Sequence, residues 1–141
     1  MAPVLYVDDE PGMRKIVQQW LEHRGIDVHA VDGVANAKRA CMGRHLDGVF
    51  IDIWLKDGSG FELFAWLQEH YPALARNTVF VTGDVTPEME SGRQLKALGM
   101  PVLPKPFDLK QIERYARDWR DIDHAPRPSR PADSYPDTRR H

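Results

Sequence analysis

The sequence predicts an α/β fold: (βα)5, a doubly wound parallel five-stranded sheet of order 2-1-3-4-5 with helices on both faces. Three observations carry this expectation. Short apolar runs, mostly rich in β-branched residues, alternate five times with stretches of helical spacing. The connections between them are short, and strand–helix alternation of that kind implies a parallel sheet covered on both sides. Right-handed crossovers then leave the three-layer sandwich as the natural topology.

The elements follow in order. Val4–Val7 is the first strand. Ile16, Val17, Trp20 and Leu21 then set an apolar stripe on one helix face, with Arg14, Lys15, Gln18, Gln19 and Glu22 opposite, and Gly25 ends the helix. Val28–Val31 is the second strand, and Val34, Ala37 and Cys41 repeat the helical spacing more weakly. Val49–Ile51 is the third strand. The tetrapeptide Asp57-Gly58-Ser59-Gly60 makes a turn into a third helix, marked by Phe61, Phe64 and Leu67 with Leu63 and Trp66, that stops at Tyr71–Pro72. Val79–Val81 is the fourth strand. Thr86-Pro87-Glu88 supplies a cap, a first-turn proline and a first-turn acid for a helix through Leu98. Gly92 and a thin stripe of Met89, Leu95 and Leu98 predict that this helix is the least rigid. Pro101–Leu103 is the fifth strand and lacks the β-branched richness of the other four. Asp108 opens the last helix with a capping-box-like Gln111, followed by Leu109, Ile112, Ala116 and Trp119.

A length of 141 residues argues for one domain, placed at residues 1–120. From 121 to 141 the composition changes to four prolines, four arginines and four aspartates with few large apolar residues, which predicts a disordered tail. The net charge of −2 gives no basis for direct nucleic-acid binding. Cys41 is the one cysteine, so no disulfide closes within the chain, in keeping with a reducing cytoplasm. The start reaches acidic residues by position 8 without a basic leader, and no apolar run approaches the roughly 20 residues of a membrane helix.

Ligands of open α/β sheets bind beyond the carboxyl ends of the strands. Those ends here carry Asp8-Asp9-Glu10, Asp52, Thr82-Gly83-Asp84 and Lys105-Pro106. Two carboxylates ~5 Å apart at an effective dielectric of ~20 repel by roughly 3 kcal/mol. A group of them therefore calls for a cation or for raised pKa values. Hard carboxylate oxygens without His or Cys favour Mg²⁺.

The stretches VLYVDDE, VFIDIWLKDGSGFEL, VFVTGD and VLPKPF, in this order on matching strand ends, resemble the receiver domain of bacterial two-component systems over about residues 3–119. The resemblance implies a flavodoxin-like fold and a phosphoacceptor, not a metabolic enzyme. It makes Asp52 the nucleophile that takes a phosphoryl group from a histidine kinase or histidine phosphotransfer protein. Asp9 and Asp52 would hold Mg²⁺ with the backbone carbonyl of Trp54, and Asp8 would act through a coordinated water, although the residues do not rank Asp8 against Asp9. Lys105 and Thr82 would contact the phosphoryl oxygens, and the Lys105–Pro106 bond is a candidate cis peptide. Glu10 is equally well read as a first-turn helix acid. The face formed by the fourth helix, fifth strand and fifth helix would engage a downstream protein, with the chain a monomer or a weak phosphorylation-dependent dimer. With no effector domain after Trp119, a stand-alone regulator or phosphorelay intermediate is expected, or a piece of a hybrid kinase.

Three departures from the family pattern stand out. Lys56 replaces a frequent proline, which predicts a more mobile loop. Val102 replaces the aromatic switch residue, leaving Phe107 as a possible substitute, and Trp54 and Asp84 flank the site. Two other functions compete with this reading. A haloacid-dehalogenase-type phosphatase would want Asp-x-Asp after the first strand, and a phosphorylation-independent binding module would not need the complete acidic set. The six histidines show no metal-ligand spacing, and no P-loop or dinucleotide fingerprint is present.

Overall fold

The computed structural model describes residues 3–83 and 85–124, with side chains to residue 121. The elements are β1 (Val4–Val7), α1 (Pro11–His23), β2 (Val28–Val31), α2 (Val34–Gly43), β3 (Gly48–Asp52), β4 (Trp54–Leu55), β5 (Gly58–Ser59), α3 (Gly60–His70), α4 (Pro72–Arg76), β6 (Thr78–Thr82), α5 (Glu90–Leu98), β7 (Val102–Pro104) and α6 (Leu109–His124). The main sheet is parallel, in order β2-β1-β3-β6-β7, which is the expected 2-1-3-4-5 once the small β4–β5 hairpin is set apart. The architecture is thus flavodoxin-like α/β, as the alternation of periods predicts.

Strands β1, β3 and β6 are buried throughout, so alternate side chains feed two cores. One core joins Leu5, Val7, Val49, Ile51 and Phe80 to α2, α3, α4 and α5. The other joins Val4, Tyr6, Phe50, Val79 and Val81 to α1 and α6 through Val17, Leu21, Ile112, Ala116 and Trp119. Helix ends behave as their sequences suggest at several points. Ser59 Oγ accepts the Glu62 N–H (3.1 Å), and Gln111 Oε1 accepts the Asp108 N–H (3.2 Å) while Asp108 Oδ1 accepts that of Lys110 (2.9 Å).

Three local expectations are corrected. Ile16 is 49% exposed rather than part of the buried stripe, because α1 meets the sheet through Val17 and Leu21, with Met13 and Trp20 at the margin. Helix α3 stops at His70 with Tyr71 as its C-cap, as expected, and the short α4 follows at once with proline in its first turn, where it has no N–H to lose. The fifth strand is shifted by one residue to Val102–Pro104, pairing Phe80 with Val102 and Thr82 with Pro104. Finally α5 begins at Glu90, not Thr86. Thr86–Met89 instead forms a turn, closed by a Met89 N–H to Thr86 carbonyl bond (3.1 Å), that folds back over the first turn of the helix. A Cβ at Gly92 would lie 2.0 Å from the Thr86 oxygen, so glycine is what permits this approach. The stripe of α5 is thinner still than its sequence implies, with Leu95 buried but Met89 and Leu98 exposed.

Helix α6 runs to His124, past the domain edge expected at 120. The disordered tail inferred from composition otherwise lies outside the described residues, as does Asp84. No helix among the described residues is long and apolar enough to cross a membrane.

Candidate functional site

Parallel register brings the chemistry to one rim. Val7 pairs with Ile51 and Asp52 with Val81, so Asp8, Asp52 and Thr82 emerge side by side from β1, β3 and β6. The Lys105 N–H bonds to the Thr82 carbonyl at 2.7 Å and extends the β6–β7 ladder by one residue, which fixes the base of the lysine side chain. The Lys105–Pro106 peptide is cis, as the resemblance implies.

Lys105 Nζ is the hub of the cluster. It donates to Glu10 Oε1 at 2.8 Å, Asp52 Oδ2 at 2.9 Å and Asp8 Oδ2 at 3.1 Å. An ammonium has three N–H donors, and all three are engaged. Asp8 is wholly buried, with the Tyr6 hydroxyl donating to Oδ2 at 2.8 Å and the Glu10 N–H to Oδ1 at 3.0 Å. The Arg14 guanidinium reaches the Asp8 carbonyl at 2.8 Å. Asp52 Oδ1 accepts the N–H of Trp54 at 3.0 Å.

The electrostatics follow from this packing. Burial raises the Asp52 pKa, and Asp8 adds to the rise, while the Trp54 N–H and Lys105 oppose it. Burial likewise pushes the Tyr6 phenol up, reinforced by the Asp8 charge, so Tyr6 stays a proton donor to Asp8. For Lys105 burial favours the neutral amine, but the hydrogen bonds it donates to Glu10, Asp52 and Asp8 together win and hold the ammonium charged.

One oxygen each of Asp8, Glu10 and Asp52 lie within 4.8 Å of one another. Three carboxylates around one ammonium leave the rim with a surplus of negative charge. A compact set of hard oxygens with that surplus fits Mg²⁺, and among the described residues neither imidazole nor thiolate joins it. The half-buried Asp9 is not in this set, whereas the exposed Glu10 is. Thr82 is buried at the end of β6 with its hydroxyl on the Gly83 carbonyl (3.2 Å).

Three contributors were not evident from sequence. Tyr6 looks like a strand residue among apolar neighbours. Its phenol needs a partner when buried, and that requirement was the available signal. Glu10 looks like a helix acid until the long reach of Lys105 is seen. Asp57 is the third: its two oxygens accept the N–H groups of Val34 (2.7 Å) and Ala35 (3.0 Å), capping α2 from the β4–β5 turn. The loop expected to be more mobile at Lys56 is tied to α2 by the neighbouring Asp57.

The Ala35 and Val34 N–H groups hold the Asp57 carboxyl below the usual carboxylate range. A depressed folded-state pKa contributes stability above the unfolded value that is lost as pH falls through the folded one. Asp57→Ala is expected to cost about 1 kcal/mol near neutrality, with the gap to wild type narrowing in strong acid as pH falls through the lowered folded-state value. Urea midpoints near neutrality and in strong acid check this.

Trp54 and the switch positions complete the rim. The Trp54 indole is 48% exposed and its Nε1–H reaches the Gly83 carbonyl at 3.3 Å, bridging the ends of β3 and β6. Val102 packs on the core beneath α5, whereas Phe107 packs on the opposite core with α1 and α6. Phe107 therefore does not fill the place of an aromatic at 102.

A doubly wound α/β domain with an acidic cup and a lysine at the carboxyl rim is the class that fold and site define. The response regulator receiver domain model matches residues 4–117, and the chain belongs to that family. It is a signalling family, which sets aside the metabolic phosphatase. The chain is 34% identical over 119 residues to the response regulator Rre1 of Synechocystis, covering 82% of this chain and 50% of that protein. It is 28% identical over 108 residues to the response regulator protein PilR of Pseudomonas aeruginosa, covering 77% and 24% respectively. The chain thus spans between a quarter and a half of these curated relatives. Among solved structures, a response regulator receiver protein from Pseudomonas putida superposes with a TM-score of 0.74 at 26% identity, covering 84% of this chain and 98% of that one. A CheY-like receiver domain from Methanospirillum hungatei shares the fold, with a TM-score of 0.71 at 22% identity over 86% of this chain and 98% of that one.

Proposed function

We propose that this domain takes a phosphoryl group onto Asp52 from a histidine kinase or histidine phosphotransfer protein and thereby switches a protein–protein interaction. The observation that carries the reading is the convergence of Lys105 on Asp8, Glu10 and Asp52 at one sheet rim. An Asp52 carboxylate oxygen forms the new O–P bond as the N–P bond of the donor phosphohistidine breaks, and the imidazole regains its neutral form with a proton from solvent. Phosphoryl transfer asks the protein mainly for positioning and charge neutralisation. Lys105 supplies the fixed cation, and Thr82, one step along the adjacent strand, supplies a hydroxyl to a phosphoryl oxygen. Asp8, Asp9 and Asp52, with the Trp54 carbonyl, would hold Mg²⁺, which when bound adds Lewis-acid neutralisation of the equatorial oxygens.

The switched surface is α5, β7 and α6, where α5 has the thinnest apolar anchorage and so the smallest barrier to rearrangement. With Val102 in β7 and Phe107 on the other core, the switch works through Thr82 and the β6–α5 loop without an aromatic relay. The same absence favours one other reading, a binding module that ignores phosphorylation. A downstream protein target, action in the cytoplasm and a monomer or weak phosphorylation-dependent dimer complete the proposal.

Incubation with Mg²⁺ and acetyl phosphate, read on a phosphate-affinity gel, tests it. A retarded band that is absent in Asp52→Ala supports phosphoacceptance, and no retarded band under any condition favours the binding module. A bridging indole over the rim restricts approach of water, so Trp54→Asn is expected to shorten the phosphoryl lifetime severalfold, of the order of the tenfold given by 1.4 kcal/mol. An unchanged autodephosphorylation rate would refute that role.

A further inference from the structure

Lys105 has no spare N–H. Its three donors are committed to Glu10, Asp52 and Asp8, and the Lys105 side chain is only 16% exposed. A new phosphoryl oxygen on Asp52 can be met by Lys105 only if one of those bonds opens. The three are not equal. Asp8 is fully buried and fixed by Tyr6 and the Glu10 N–H, and Asp52 carries the reacting oxygens. Glu10 is 62% exposed, its side-chain carboxylate hydrogen-bonds to Lys105 alone among the described residues, and water can take over its solvation when it leaves. Its backbone is held independently, because the Glu10 N–H is on Asp8 and the Glu10 carbonyl accepts the Arg14 N–H at 3.1 Å. The side chain can therefore move without disturbing α1.

We infer that Glu10 is an exchangeable counter-ion that positions Lys105 in the unphosphorylated protein and yields it to the phosphoryl group, rather than a permanent ligand of the acidic cup. The inference rests on the phosphoacceptor reading and assigns Glu10 a positioning role within it. Glu10 neutralises and orients the lysine while the site waits, and its departure returns one N–H for the incoming oxygen. Shortening the side chain breaks the contact while keeping the charge, so Glu10→Asp separates contact from bulk charge.

The test is NMR of the Lys105 side-chain ammonium, assigned by its loss in Lys105→Arg, in wild type, Glu10→Gln and Glu10→Asp. Each is recorded free and saturated with Mg²⁺ and beryllofluoride. Both variants are expected to shift the Lys105 ¹⁵Nζ resonance in the free protein and to match wild type in the beryllofluoride-saturated protein, where Glu10 has already let go. Beryllofluoride should also bind the variants more tightly, by about threefold, the scale of a weak exposed ion pair. A difference that persists in the saturated form would make Glu10 a standing part of the site, and no difference in the free form would make the contact inconsequential. Either overturns the inference. A wild-type protein that gives no response to beryllofluoride would instead strike the phosphoacceptor reading itself.

Discussion

Lys105→Met is expected to lower stability by about 3 kcal/mol in the absence of Mg²⁺ and to reduce phosphorylation of Asp52 by at least about a hundredfold. The stability loss arises because the ammonium leaves behind Asp8 at 0% and Asp52 at 6% side-chain exposure, two carboxylates that no longer face a cation. Methionine keeps the length of the aliphatic stem, so lost packing contributes little. The activity loss has a separate origin, the missing positive charge opposite the transferred group. Added Mg²⁺ should restore part of the lost stability, and should stabilise the variant more than wild type, because the cation offsets charge that Lys105 otherwise offsets. Urea denaturation with and without Mg²⁺ measures both effects. A variant as stable as wild type without Mg²⁺ would mean the rim carboxylates are not charged together in the folded protein.

Trp119→Ala carries the second large effect, a loss of about 3–5 kcal/mol, enough to consume much of a small domain's stability. Trp119 is 1% exposed and lies against Phe50 with ring centroids 4.8 Å apart. It also occupies the space above Gly48, where a Cβ would fall 2.1 Å from the indole. The pair fixes α6 across β3, the strand that ends in Asp52. Gly48→Ala should therefore be destabilising from the opposite side, by overpacking rather than by a cavity. Thermal and urea unfolding of the two variants check this, and a loss below about 1 kcal/mol for Trp119→Ala would show that α6 is held elsewhere.

Most of the sheet was legible because its strands are short apolar runs closed by polar residues, and crossover handedness narrows the strand orders open to them. Asp8, Asp52, Thr82 and Lys105 were legible for the same reason, since they stand at predicted strand ends. The misses share a physical cause. Asp57 caps α2 from 23 residues away, and Glu10 meets Lys105 across 95, distances over which a linear pattern says nothing. Ile16 has helical spacing with Val17 and Trp20, but only tertiary docking decides how wide a stripe is covered. At Thr86-Pro87-Glu88 the cap signals were genuine turn chemistry, and the chain used them for a turn over Gly92 before the helix began.

The central claim is covalent, and borohydride trapping addresses it directly. The protein is treated with Mg²⁺ and acetyl phosphate, then with borohydride, which reduces an acyl phosphate to an alcohol and leaves an ordinary carboxylate untouched. Peptide mapping should find homoserine at position 52 and aspartate unchanged at 8, 9 and 57. Homoserine at another of these positions, or at none although acetyl phosphate is consumed, would contradict the assignment of Asp52.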